Sequence, residues 1–61
     1  MINKGDYIKQ NGTWYIVEVV LFHALYVKEI AAVPEKTKNQ IIDAVDFQDN
    51  YSEYTVVVMK K

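Results

Sequence analysis

Residues 5–20, GDYIKQNGTWYIVEVV, set two runs of strand-forming residues on either side of Asn11-Gly12. Asn and Gly both tolerate positive φ, which a two-residue type I′ hairpin turn needs at both central positions. The first arm, residues 6–10, carries Tyr7 and Ile8, both good strand formers. The second arm extends over residues 13–22. Its odd positions Tyr15, Val17, Val19 and Leu21 are all apolar. Its even positions Trp14, Ile16, Glu18, Val20 and Phe22 are apolar except for one charge. A strand with one face in water alternates cleanly between apolar and polar residues. This one does not, so either it is covered on both sides or its second face meets a partner.

Past Phe22 the chain shows no glycine, proline or asparagine to mark the turn near Phe22-His23. One long bent strand with a bulge is the alternative there. Residues 25–31 resume β character with Tyr26, Val27 and Ile30, and Lys28-Glu29 puts adjacent charges on opposite faces. Residues 34–40, PEKTKNQ, read as a loop. Residues 41–47, IIDAVDF, leave two readings open. A strand places Ile41, Val45 and Phe47 on one face. A helix takes Asn39 as its N-cap and sets Ile41, Ile42 and Val45 on one side. A longer helix starting at Pro34 is disfavoured, because residues 36–40 are polar and its first turns would bury nothing. Residues 48–52 predict a turn. Residues 53–59 predict the last strand, and its run Val56, Val57, Val58 points to a central or doubly covered position. Lys60-Lys61 then blunts the end with charge. The expected fold class is mainly β: a small five-stranded barrel, one domain over 1–61, with room for a short helix around 39–48.

The 61 residues are 51% hydrophobic and contain no cysteine, which excludes disulfides and thiolate metal sites. A domain this short holds together only with an efficient core, a staple or a partner. No apolar run approaches the roughly 20 residues of a membrane helix, and residues 1–10 lack the core of a signal peptide. A soluble cytoplasmic protein is expected. The formal net charge is −1, and all seven basic residues are lysine. Frequent Lys, Asn, Ile and Tyr suggest AT-rich codons, hence a low-GC bacterium or its phage, with the host cytoplasm as the location in the second case. Absent arginine removes the planar fork that grips phosphate and guanine edges.

Lys4-Gly5-Asp6, Ile8-Lys9, Asn11-Gly12, Trp14-Tyr15, Val17 and Val20 together resemble the opening of Src-homology-3-like small barrels, including the KOW-type domains of bacterial and phage proteins. The resemblance covers residues 4–20. The sequence lacks the second glycine and basic loop of KOW domains that bind nucleic acid. It also lacks the acidic loop and aromatic-proline pattern of polyproline-binding members. The resemblance therefore implies a fold and transfers no binding site.

Asp43, Asp46, Asp49 and Glu53, with Asn50 nearby, offer oxygen ligands for a divalent cation. They lack the glycine and alternating ligands of a calcium loop, and a solvated acidic turn is the expectation. His23 has no nucleophile partner in sequence, and Gly5 and Gly12 make no phosphate loop. No enzyme, metal or cofactor is expected. The aromatic set Trp14, Tyr15, Phe22, Tyr26, Tyr51 and Tyr54 is divided between core and binding surface. The expected protein-binding residues are Trp14, Ile16, Val20, Phe22 and Tyr26, engaging a protein partner or a second copy of the chain, as in a phage or mobile-element accessory protein. The alternative is single-stranded nucleic acid stacked on aromatics, with Lys9, Lys28, Lys36 and Lys38 along the phosphates.

Overall fold

A computed structural model describes residues 1–60. Positive φ at Asn11 (51°) and Gly12 (78°) closes the first hairpin as the dipeptide implies. It joins β1 (Tyr7–Gln10) to β2 (Thr13–Val20). β3 (Ala24–Ile30) follows antiparallel to β2. The turn between them lies over residues 21–23, where the Leu21 N–H donates to the Ala24 carbonyl at 2.8 Å. The loop 31–40 leads into β4 (Ile41–Ile42), then α1 (Ala44–Asn50) and β5 (Thr55–Val58).

The five strands form one mixed sheet in the order β4-β1-β2-β3-β5. β4 runs parallel to β1, and β5 runs parallel to β3. The mainly-β, five-stranded architecture with one short helix agrees with the sequence. Among the described residues no pairing joins β4 to β5, so each is an edge strand. The likeness to Src-homology-3-like barrels rests on the opening hairpin alone.

β2 contains the decisive irregularity. Val17 pairs with Val27, but the next pair is Val19 with Tyr26, so Glu18 is an extra residue in a β-bulge. One inserted residue reverses the inside–outside parity of everything after it. Val17 is buried and Val20 packs against the same core, while Val19 and Leu21 are exposed. This corrects the simple odd–even reading of residues 13–22. Val20 does not share the Trp14 face, and Val19 stands where Val20 was expected.

The core lies on one side of the sheet. Ile8, Val17, Leu25, Val27 and Ile42 cluster there with Ile2 and with Phe47 from α1. Tyr15, Val20, Tyr51, Tyr54 and Val56 pack around them. The segment that follows β4 therefore covers the Val17 side of the sheet, and the Trp14 side stays outside that cluster. Burying the cluster supplies the main stabilising term, at roughly 1.5–3 kcal/mol per fully buried aliphatic side chain.

Three further expectations are corrected. The helix is capped by Asp43, whose side chain accepts the Asp46 N–H at 2.8 Å, and not by Asn39. Two β-branched residues, Ile41 and Ile42, extend as a strand before it, so helix starts only after the acid that can cap it. Residues 48–50 are the last turn of α1 and not a separate turn, and the Tyr51 N–H closes it on the Phe47 carbonyl. Finally, β5 is shorter than residues 53–59 and sits at an edge, with Val57 and Val58 exposed. A run of valines satisfies any extended, half-buried position and does not require a covered one.

Candidate functional site

Cross-strand pairing sorts the surface into rows. On the side away from the core, Lys9 pairs with Trp14 and Trp14 with Ile30. The next row is Ile41, Tyr7, Ile16 and Lys28. Beyond the bulge comes Val19, Tyr26 and Val57. Side chains directly opposite on neighbouring strands lie close enough to touch, so each row is continuous.

The rows differ in exposure. Tyr7 is buried, although it stands outside the main cluster, and Trp14, Ile16 and Tyr26 are half-buried. Lys9 Nζ sits over the Trp14 ring, 5.4 Å from its centroid. That cation covers one ring face and shields the tryptophan. Among its apolar side chains the second row opens only at its β4 end, where Ile41 is 51% exposed, whereas the far row is open at both ends, with Val19 42% exposed and Val57 37%. Next to it the β2–β3 turn holds Leu21 at 50% and Phe22 at 86%. Among the described residues the Phe22 ring meets no aromatic partner except its neighbour His23, centroid to centroid 4.1 Å at 51°. The bulge produces this arrangement, because it turns Val19 outward beside Tyr26.

Of the five residues expected to bind protein, Trp14, Ile16 and Tyr26 share the face, Phe22 crowns the adjoining turn, and Val20 belongs to the core side. Val19, Leu21 and Val57 were missed. A bulge without glycine leaves no mark in the sequence that would have moved Val19 outward. The lysines divide as well. Lys9 and Lys28 flank the Trp14–Ile16 stretch from β1 and β3, while Lys36 and Lys38 lie on the exposed loop 31–40.

The acidic stretch has a structural explanation. Asp43 caps α1, and Asp46 Oδ1 accepts the Asn50 side-chain N–H one turn on. Among the described residues no three of His, Cys, Asp and Glu stand together to hold a metal ion. His23 is exposed at the turn beside Phe22.

Two open clefts indent the surface. One, about 350 Å³, lies between the hairpin and α1 and is lined by Lys9, Gln10, Gln48, Ser52 and Tyr54 among others. The other, about 560 Å³, is lined by Met1, Ile2, Val19, Val20 and Tyr54, with Lys4 and Glu18 among its walls. Val19 thus lines the second cleft and also belongs to the exposed row. Apolar side chains make up most of the wall of the second cleft. Among the described residues no helix is long and apolar enough to cross a membrane. Comparison with protein-family models, with curated proteins and with solved structures returns no match.

Proposed function

We propose that the chain is a non-enzymatic protein-binding module. It docks through Val19, Tyr26 and Val57, extended by Leu21 and Phe22, with Trp14 and Ile16 at the margin. The observation that carries this reading is the exposed apolar row across β2, β3 and β5, adjoining a turn whose phenylalanine is 86% exposed. A contiguous apolar patch on so small a domain marks an interaction surface. Aromatic residues such as Phe22 and Tyr26 supply the large contact areas typical of binding hot spots. An accessory protein acting on a cellular partner fits the size and composition.

The test uses the immobilised chain as bait, comparing the wild type with Phe22→Ser and Val19→Lys. Both positions are exposed, so both variants should keep the fold. A specific partner retained by the wild type and lost by both variants is the expected result. Retention unchanged by either variant would overturn the reading.

Nucleic-acid binding is the second reading, supported by Lys9 and Lys28 flanking Trp14 and Ile16 on one face. Lys9 already occupies a face of the Trp14 ring, where a base would stack. Binding of this kind would weaken steeply with salt and with Lys9→Gln or Lys28→Gln. The docking reading expects indifference to both.

A further inference from the structure

β5 is the edge of the sheet on the side of the exposed row. Its pairing with β3 uses the Thr55 N–H, which donates to the His23 carbonyl at 2.8 Å, and the Met59 N–H, which donates to the Val27 carbonyl at 2.7 Å. Successive residues of a strand direct their N–H and C=O groups to alternate sides. Thr55, Val57 and Met59 therefore face β3, and Val56 and Val58 present their backbone groups along the outer edge. Among the described residues no strand pairs with that edge. Of the strands and the helix, only β3 makes more than marginal contact with β5. Such a row of unpaired backbone groups is a template for another strand.

The flanking charges select the occupant and its direction. Glu53 precedes β5, and Lys60 follows it. A second copy laid parallel would bring like charges together, whereas one laid antiparallel brings each Glu53 end beside the other copy's Lys60 end. No charge interrupts residues 54–59 between them.

We propose that β5 pairs antiparallel with β5 of a second copy of this chain, about a two-fold axis through Val57. Val56 then lies opposite Val58 of the second copy, and each such pair exchanges both N–H···O=C bonds. Val57 meets Val57 of the second copy as a non-hydrogen-bonded pair, the closer of the two antiparallel spacings. The interface is self-complementary, as a two-fold dimer requires. It fuses two sheets into one of ten strands and joins the two Val19–Tyr26–Val57 rows end to end. The pairing uses backbone groups, so it can fail while the exposed face still binds a different partner.

Sedimentation equilibrium over a concentration series, paired with amide hydrogen exchange by NMR, tests this. A single strand-to-strand contact is small, so the mass is expected to rise from one chain to two between roughly 10 µM and 1 mM. Over the same range protection of the Val56 and Val58 amides should rise at least about tenfold. Thr55 and Val57 amides should be protected at every concentration. Val58→Pro removes an edge donor and no bond to β3, and should stay one chain throughout. Glu53→Lys should weaken the dimer, because it sets like charges at both ends of the paired strands. A mass of one chain up to about 1 mM would overturn the proposal. So would a dimer in which the Val56 and Val58 amides exchange as freely as in dilute solution. If Val58→Pro fails to fold, the wild-type exchange pattern decides alone.

Discussion

The carboxylate of Asp6 accepts the backbone N–H of Gln40 at 3.1 Å, across 34 positions of sequence. Its other oxygen accepts the Asn3 N–H at 2.8 Å. The Asp6 carbonyl accepts the Val17 N–H, also at 2.8 Å. One residue, 3% exposed, thereby ties the N-terminal turn, the start of β4 and the middle of β2 to a single point. Replacing Asp6 by Ala leaves two backbone donors without their charged acceptor. The expected loss of stability is about 2–4 kcal/mol, read by urea denaturation. Asp6→Asn keeps one acceptor oxygen and should lose less. Equal losses for the two variants would show that the carboxylate is not the anchor.

Gly5 adjoins this clamp at φ 93°, and a Cβ there would lie 2.8 Å from Asn39 Nδ2. Gly12 has φ 78° with open space around it. Alanine at Gly12 should therefore cost only the conformational penalty, about 1–2 kcal/mol. Alanine at Gly5 adds displacement of the Asn39 side chain. A double-mutant cycle of Gly5→Ala with Asn39→Ala should show coupling, and the same cycle with Gly12→Ala should show none. Zero coupling at Gly5 would mean that Asn39 moves aside without cost.

How much of this was legible in the sequence differs from one element to the next. Asn11-Gly12 announced its turn because few residues tolerate positive φ, and the turn fixes the register of β1 and β2. The bulge at Glu18 was illegible, because an extra residue in a strand needs no special side chain. Its effect was to exchange the roles of Val19 and Val20, two identical residues. The edge position of β5 was illegible for a related reason: which strand lies outermost depends on pairing between distant segments and not on local propensity. At the start of α1, Asn39 and Asp43 are both competent caps. The choice fell to Asp43 because Ile41 and Ile42 are held extended beside Tyr7 and Ile8.

The Asp43 cap should have a measurable but small effect. α1 spans seven residues and buries only Phe47, so tertiary packing and not helix propensity holds it. Asp43→Ala should cost about 1 kcal/mol. Phe47→Ala should cost about 3–5 kcal/mol and leave little folded protein. Thermal melts of the two variants give the comparison. An Asp43→Ala loss as large as that of Phe47→Ala would show that the helix end, and not its buried ring, fastens this segment.

The bulge itself can be tested by deletion. Removing one residue from a strand ordinarily shifts the rest out of register and turns the buried side chains outward. Deleting Glu18 removes the extra residue, so Val17 still meets Val27 and Val19 still meets Tyr26. That deletion should leave a cooperative fold, at a cost of about 1–2 kcal/mol for lost bending. Deleting Ile16, which pairs with both Tyr7 and Lys28, should abolish it. Equal damage from the two deletions would argue against a bulge at Glu18.

Val19 and Val20 separate stability from binding, because the bulge gives adjacent valines opposite surroundings. Val20 packs against the core cluster and pairs with Leu25, which is fully buried. Val20→Ala removes two methyl groups from that contact and should cost about 1–2 kcal/mol, since Val20 is only half-buried. Val19 is exposed, so Val19→Ala should change stability by no more than about 0.5 kcal/mol. Partner binding should show the reverse order, weakening for Val19→Ala and holding for Val20→Ala under conditions where both are folded. Denaturation and binding titrations on the same two samples measure both quantities. If Val19→Ala destabilises as much as Val20→Ala and binds as the wild type does, Val19 belongs to the interior, and the exposed row is broken at its β2 end.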